Sequence, residues 1–359
     1  KNGLITTVDS NVPRLEYPMI DGVVNGCPSL ILEPSRTNSQ VNSEEFDNAL
    51  WNKTRASITP NDAISPSGLL NADKLVGLSG SSYVYDGVSV TSGDVYTISV
   101  FAKFIDINEF VIVNFTQSGN AYFNIENGTV ISNSGTFTEP KIENYGNGWY
   151  RCSAKFTATA TGNVNYGFFL NNATDKSVHI WGAQLELGSY PTSYIPTTTS
   201  TVTRSAETAN GSGDADTFND SEGVLMAEIS TDNQNTYKYI SINNGTSSGN
   251  QTRVALGYYG STLYPNVRVS NSHQFSEAFD LDPTFNNKIA LKYKTNDFAL
   301  WVNGFEVLES NAGSTFSEGT LSKFDFDDGA GNSDFYGNTK QLQYYNSALT
   351  DSELEQLTS

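Results

Sequence analysis

The chain has 359 residues, 20 Lys+Arg against 39 Asp+Glu, a net charge of −19 and a pI near 4.4. That balance excludes nucleic-acid binding, which needs cations to displace phosphate counterions, and docking on anionic lipid through a basic patch. Aromatics make up 12% and charged residues 16%, so the rings suffice for a core while Ser, Thr, Asn and Gly supply most of the polar surface.

Residues 1–35 read as an extended, proline-containing arm with no core of its own. The chain opens on Lys1 rather than Met and shows no signal peptide, as expected of a mature product or a fragment. Ile5, Val8, Val12, Leu15, Tyr17, Met19 and Ile20 need apolar partners, on a following domain or on a neighbouring copy. From residue 36 to 196 the dominant signal is alternation with period 2. Tyr96, Ile98 and Val100 alternate with Thr97 and Ser99; Tyr150, Cys152, Ala154 and Phe156 alternate with Arg151, Ser153 and Lys155. Stretches 110–115 and 178–185 read as more buried strands. Asp86-Gly87, Asn127-Gly128 and Asn147-Gly148 read as turns.

Residues 197–216 are rich in Thr and Ser, then in Gly, Ser and Asp, and read as a linker. Charge shifts there too: residues 211–359 hold 8 basic and 20 acidic side chains, a net of −12. Stretches 224–229, 238–242, 252–258, 289–294 and 298–302 predict strands of a second domain over 217–359, with turns at Asn244-Gly245 and Asn303-Gly304. One helix is expected, at the C-terminus. Thr350 and Glu353 have capping-box spacing, with Leu349 and Leu354 as a staple. No apolar run of 18 residues occurs, so no spanning helix is expected. The fold class is therefore all-β: two tandem β-sandwich (jelly-roll) domains with one short C-terminal helix. Cys27 and Cys152 are read as free thiols, a single bridge being the alternative.

Three segments carry a family likeness. They are Leu30-Ile-Leu-Glu-Pro-Ser-Arg-Thr-Asn38 with Ala49-Leu-Trp51, then Gly146-Asn-Gly-Trp-Tyr-Arg-Cys152, then Ile180-Trp-Gly-Ala-Gln-Leu-Glu186 running into Tyr190-Pro-Thr-Ser-Tyr-Ile-Pro196. In this order they resemble the carbohydrate-binding-module-like jelly roll of bacteriophage tail and virion-surface proteins, over about residues 1–205. Phe298-Ala-Leu-Trp-Val-Asn-Gly304 and Leu342-Gln-Tyr-Tyr-Asn-Ser-Ala-Leu-Thr-Asp-Ser-Glu-Leu354 resemble a laminin G-like, concanavalin A-like sandwich over 217–359. The resemblance implies a non-catalytic, lectin-like protein of the virion surface or the extracellular space. Its partners would be a polysaccharide or cell-surface glycan, other virion proteins or copies of itself. Accessory modules of a secreted polysaccharide-degrading enzyme, or a purely structural virion or adhesin spacer, are the alternatives.

Sugar rings stack on aromatic planes, so the four tryptophans are the first candidates. Trp149 and Trp181 lie among apolar strand residues and read as core. Trp51 follows a polar stretch and is a candidate ligand contact. Trp301 alternates with Phe298, Leu300 and Val302 placed at even positions, so parity turns it outward, with Asn303 beside it to bond hydroxyls. Tyr258, Tyr259 and Tyr264 surround Gly260; Tyr258 and Tyr264 join the candidate site. Asp325, Asp327, Asp328 and Asp334 on a Gly-containing loop are candidate hard oxygen ligands for a structural Ca²⁺, a solvated loop being the alternative; the loop lacks the EF-hand pattern. Asp9, Asp21, Glu33 and Asp73 are further acidic residues without selective spacing. Catalysis has little support. His179 and His273 are the only histidines, no nucleophile elbow occurs, and Glu45-Phe-Asp47-Asn-Ala-Leu50 begins like a glycosidase strand but ends in Leu.

Overall fold

The computed structural model describes residues 4–20, 23–232, 234–246 and 251–359. It is almost wholly β-structure, and its chain divides into two compact units. The first comprises residues 1–9, 17–26 and 35–205, the second 10–16, 27–34 and 206–359. The division falls inside the Thr/Ser-rich stretch, and residues 1–35 are shared between the units rather than standing apart.

The first unit is a sandwich of two six-stranded antiparallel sheets. One sheet runs Phe137–Gly146, Trp149–Thr157, Val95–Phe104, Ser177–Leu187, Leu70–Gly77, Ala56–Ile64. The other runs Thr129–Gly135, Gly119–Asn124, Glu109–Asn114, Gly162–Leu170, Ser82–Val90, Asn52–Thr54. Hairpins within each sheet alternate with connections that cross between the sheets, as in a jelly roll. Alternation places Ile98, Val100, Cys152 and Phe156 of one sheet against Phe110, Ile112, Phe123 and Phe168 of the other in one buried core. Asp86-Gly87 lies within the Ser82–Val90 strand and not in a turn: its pairing with Tyr166 and Asn165 continues the ladder. Asn147-Gly148, with φ of 52° and 79°, does make the tight left-handed turn expected.

Most residues that carry the first resemblance meet in this unit, whereas residues 30–34 of the first segment fall in the second. Asn38 is fully buried; its amide donates to the carbonyls of Ala183 and Ile195, and its Oδ1 accepts from the Gln40 and Leu185 N–H groups. Trp149, Trp181, Phe101 and Ala72 form a second small core on the outer face of the first sheet. Ile5, Ala63, Tyr145 and Tyr194 cover it. The motif residues thus clasp the sandwich.

The second unit is also a two-sheet sandwich. One seven-stranded sheet runs Leu15–Glu16, Ser29–Leu32, Gly337–Tyr345, Glu222–Ser230, Asn287–Lys294, Phe298–Val302, Phe305–Ser310. The other holds Asn210–Ser212, Lys323–Asp325, Lys238–Asn243, Arg253–Tyr259, Thr262–Val269 and Ser272–Phe275, with Phe279–Asp280 on the Thr262–Val269 strand. Ile229, Leu291 and Leu300 face Ile242, Val254 and Leu263 in its core. The one helix among the described residues, Asp351–Thr358, begins at Thr350, whose N–H and hydroxyl both donate to the Glu353 carboxylate. Both cysteines are free, Cys152 buried and Cys27 exposed. No helix among the described residues is long and apolar enough to cross a membrane.

Candidate functional site

The aromatic residues expected to meet a ligand are mostly interior. Trp51 is 1% exposed, tilted against Phe46 and Phe168, and its indole N–H donates to the Asn42 carbonyl. Tyr258 is buried because even positions of its strand, Val254, Leu256 and Tyr258, face the core; burial pushes its hydroxyl pKa up. Trp301 does point away from Phe298, Leu300 and Val302, yet it is only 7% exposed. The C-terminal helix covers it, and it packs with Val224, Met226, Ala290, Ala299 and Leu354. All three are therefore corrected from surface contacts to core. Asn303 is exposed in a left-handed turn, with φ 49°; its side chain accepts from the Lys288 N–H and donates to Asn287. Tyr264 is half-buried, its ring 6.4 Å from that of Tyr237.

The acidic loop uses its oxygens within the fold. Asp325, fully buried, accepts from the Gly211 N–H, the Asn243 amide and the Lys323 ammonium. Asp327 accepts from the Gly329 N–H and the Asn210 amide; burial, with Asp325, Asp328 and Asp334 nearby, pushes its pKa up. Asp328 accepts from the Ala330 and Asn332 N–H groups, and Asp334 from the Tyr336 hydroxyl. Among the described residues, no group of three or more His, Cys, Asp or Glu side chains is arranged to hold a metal ion. The sequence showed clustered carboxylates; their commitment to amide donors is a tertiary fact. Of the other acids, Asp9 is exposed, Glu33 pairs with Arg14, Asp73 accepts from the Phe46 and Asn61 N–H groups, and Asp21 lies outside the described residues.

A different surface gathers the features a saccharide needs. It is the outer face of the second sheet of the first unit. Val84, Phe168 and Ile112 point inward, so parity turns Tyr83, Tyr85, Phe169, Val111 and Val113 outward. The register lines them up. One row runs Thr54, Tyr83, Phe169, Val111, Tyr122, Ser132 across six strands. The next runs Asn52, Tyr85, Gly167, Val113, Asn120, Ser134. The Tyr83 ring lies 5.8 Å from Tyr85, 6.4 Å from Phe169 and 4.8 Å from Phe115, and Tyr85 lies 5.5 Å from Phe115.

Phe115 reaches both tyrosines across the intervening Gly162–Leu170 strand. Gly167 lies between Tyr85 and Val113 in the register. A Cβ there would come within 2.1 Å of the Val84 carbonyl oxygen and 2.6 Å of the Tyr85 Cβ. Phe115 is 38% exposed and Tyr83, Tyr85 and Phe169 are half-buried, so ring faces and edges are accessible. Ser89, Asn163 and Asn165 continue the face; the Ser89 hydroxyl donates to Asn163, and the Thr116 hydroxyl oxygen accepts from the Asn165 N–H. Neither row contains a charged side chain. Apolar ring surface bordered by neutral amides and hydroxyls can take up C–H faces while bonding hydroxyls at the edge. The sequence signal was present in Tyr83-Val84-Tyr85, an alternation of aromatic and aliphatic residues. Choosing Phe169 over Phe168 and adding Phe115 required the register.

No family model and no curated protein matches the sequence. Among solved structures, the CBM40 of Ruminococcus gnavus IT-sialidase is 18% identical, with a TM-score of 0.33, over 42% of this chain and 94% of that one. The mouse laminin alpha1 chain domains LG4-5 are 10% identical, with a TM-score of 0.28, over 96% of both chains. The Trypanosoma rangeli sialidase has a TM-score of 0.30 at 10% identity, over 79% of this chain and 59% of that one.

Proposed function

We propose that the protein is a non-catalytic glycan-binding protein whose first unit holds a neutral saccharide on the Tyr83–Tyr85–Phe115–Phe169 face. The observation that carries this reading is the four-ring cluster left accessible on a sheet whose inner face is fully packed. Two chemical features favour attachment over catalysis. The face holds neither a carboxylate pair nor a histidine, and apart from Glu109 at its edge its polar groups are neutral amides and hydroxyls. Attachment to bacterial polysaccharide from a phage tail or virion surface is the setting that the sequence resemblance suggests. There, weak single sites gain strength through repetition on a particle.

Affinity electrophoresis of the full chain in gels containing bacterial polysaccharides tests this. Each stacked ring contributes on the order of 1 kcal/mol, by analogy with aromatic pairs, or about fivefold in affinity. Phe115→Ala and Tyr85→Ala should each reduce retardation by about that factor with little change in melting temperature. Retardation on no polysaccharide, or equal retardation of wild type and both variants, would sink the reading.

A further inference from the structure

The second unit carries a separate aromatic surface whose chemistry differs from that of the first. Tyr237, 50% exposed, stacks nearly parallel on Tyr239 at 6.0 Å and 12°, and lies 4.7 Å from Tyr259 and 6.4 Å from Tyr264. Tyr239 lies across Gly257, its cross-strand partner; a Cβ at 257 would sit 2.1 Å from the Tyr239 ring. The guanidinium carbon of Arg253 lies 4.6 Å from the centroid of that same ring. Arg268 stands directly opposite Arg253 on the next strand, and His273 opposite Arg268, with Arg268 Nη2 3.0 Å from His273 Nε2.

This juxtaposition is costly and unusual for the chain. Residues 211–359 carry a net charge of −12 and contain two arginines, and those two face each other. Like charges at directly opposed positions of a sheet repel. Arg253 has some compensation, donating to the Asp328 carbonyl with the Asp328 carboxylate 3.9 Å away. Arg268 bonds only neutral groups, Gln251 and His273, and among the described residues no carboxylate lies in ion-pair reach of it. The neighbouring cations also hold His273 below its usual pKa, after burial as the larger cause. An anion placed over Arg268 would relieve the repulsion while its carrier lay against the tyrosines.

We propose that this face of the second unit is a binding site for an acidic saccharide, with tyrosines 237, 259 and 264 receiving the sugar ring and Arg268, supported by Arg253, receiving its carboxylate. A planar fork suits a carboxylate, and the aromatic surface next to it selects a ring-bearing anion over a free ion. This site is distinct from the neutral platform of the first unit and does not depend on it.

The test is calorimetric titration of the full chain with a uronic-acid oligosaccharide, its carboxyl-reduced neutral counterpart, and sodium sulfate. The acidic oligosaccharide should bind about tenfold tighter than the reduced one, the difference shrinking as salt is raised. Arg268→Gln should abolish that preference, and Arg268→Lys should keep part of it, with melting curves confirming that both fold. Tyr237→Ala should weaken both oligosaccharides at this site. Phe115→Ala, on the first unit, should leave the preference intact, so failure here and failure of the neutral platform give different patterns. Equal binding of acidic and reduced forms, retention of the preference in Arg268→Gln, or sulfate binding as tightly as the acidic oligosaccharide would each overturn the proposal.

Discussion

Replacing Trp301 with alanine separates a buried ring from a ligand contact. The indole is 7% exposed and packs with five buried residues, including Leu354 of the C-terminal helix. Truncating a buried Trp to Ala costs about 3–5 kcal/mol, more where the cavity cannot collapse. This small core is closed on one side by a helix of eight residues, which can settle into the space, so the lower end, about 3 kcal/mol, is expected. For a domain of this size that corresponds to roughly 6–12 °C in melting temperature. Differential scanning calorimetry of the full chain should show the drop in the transition of the second unit alone, with glycan retention on the first unit unchanged. Trp301 and Leu354 share the same pocket, so Trp301→Ala and Leu354→Ala should couple by about 0.5 kcal/mol or more in a double-mutant cycle. A loss below about 1 kcal/mol, or strict additivity with Leu354→Ala, would refute the picture of a helix seated on the indole.

Two further outcomes follow from buried carboxylates. Burial raises the Asp73 pKa to about 6, outweighing the backbone N–H groups of Asn61 and Phe46 that lower it. The folded state therefore holds this proton more tightly than the unfolded chain. Its stabilising effect is full below about pH 4 and is lost as pH rises through 6. Melting curves between pH 4 and 6 should show that downward slope in the wild type and a flatter profile in Asp73→Asn; identical slopes would count against it. Asp325 holds three donors in place with no exposure, so Asp325→Ala should cost about 3 kcal/mol or more, read from urea unfolding.

Alternation alone determined a good deal of this protein. It marked the strands around Tyr96, Tyr150, Phe110 and Val178, the inward set Phe298, Leu300 and Val302, and the outward turn of Trp301. The Thr350–Glu353 spacing marked the helix start, because a capping box is a local bonding pattern. Parity, however, says which face a side chain takes and not what lies over that face. Trp301 is outward and buried because a segment fifty residues later folds across it. Tyr259 is exposed while Tyr258 is not because the strand's even positions happen to be the inner ones. The aspartates around 327 were visible as a cluster, but whether their oxygens meet a cation or a ring of N–H donors depends on strands distant in sequence. The same holds for the first binding face. Tyr83 and Tyr85 announce themselves as alternating rings, but their meeting with Phe115 over Gly167, and the confrontation of Arg253 with Arg268, are set by strand register. The Arg253–Arg268 register follows from a local hairpin closed at Gly260-Ser261, whereas the pairing that brings Phe115 to the tyrosines joins strands distant in sequence and is set by the packing of the sheet.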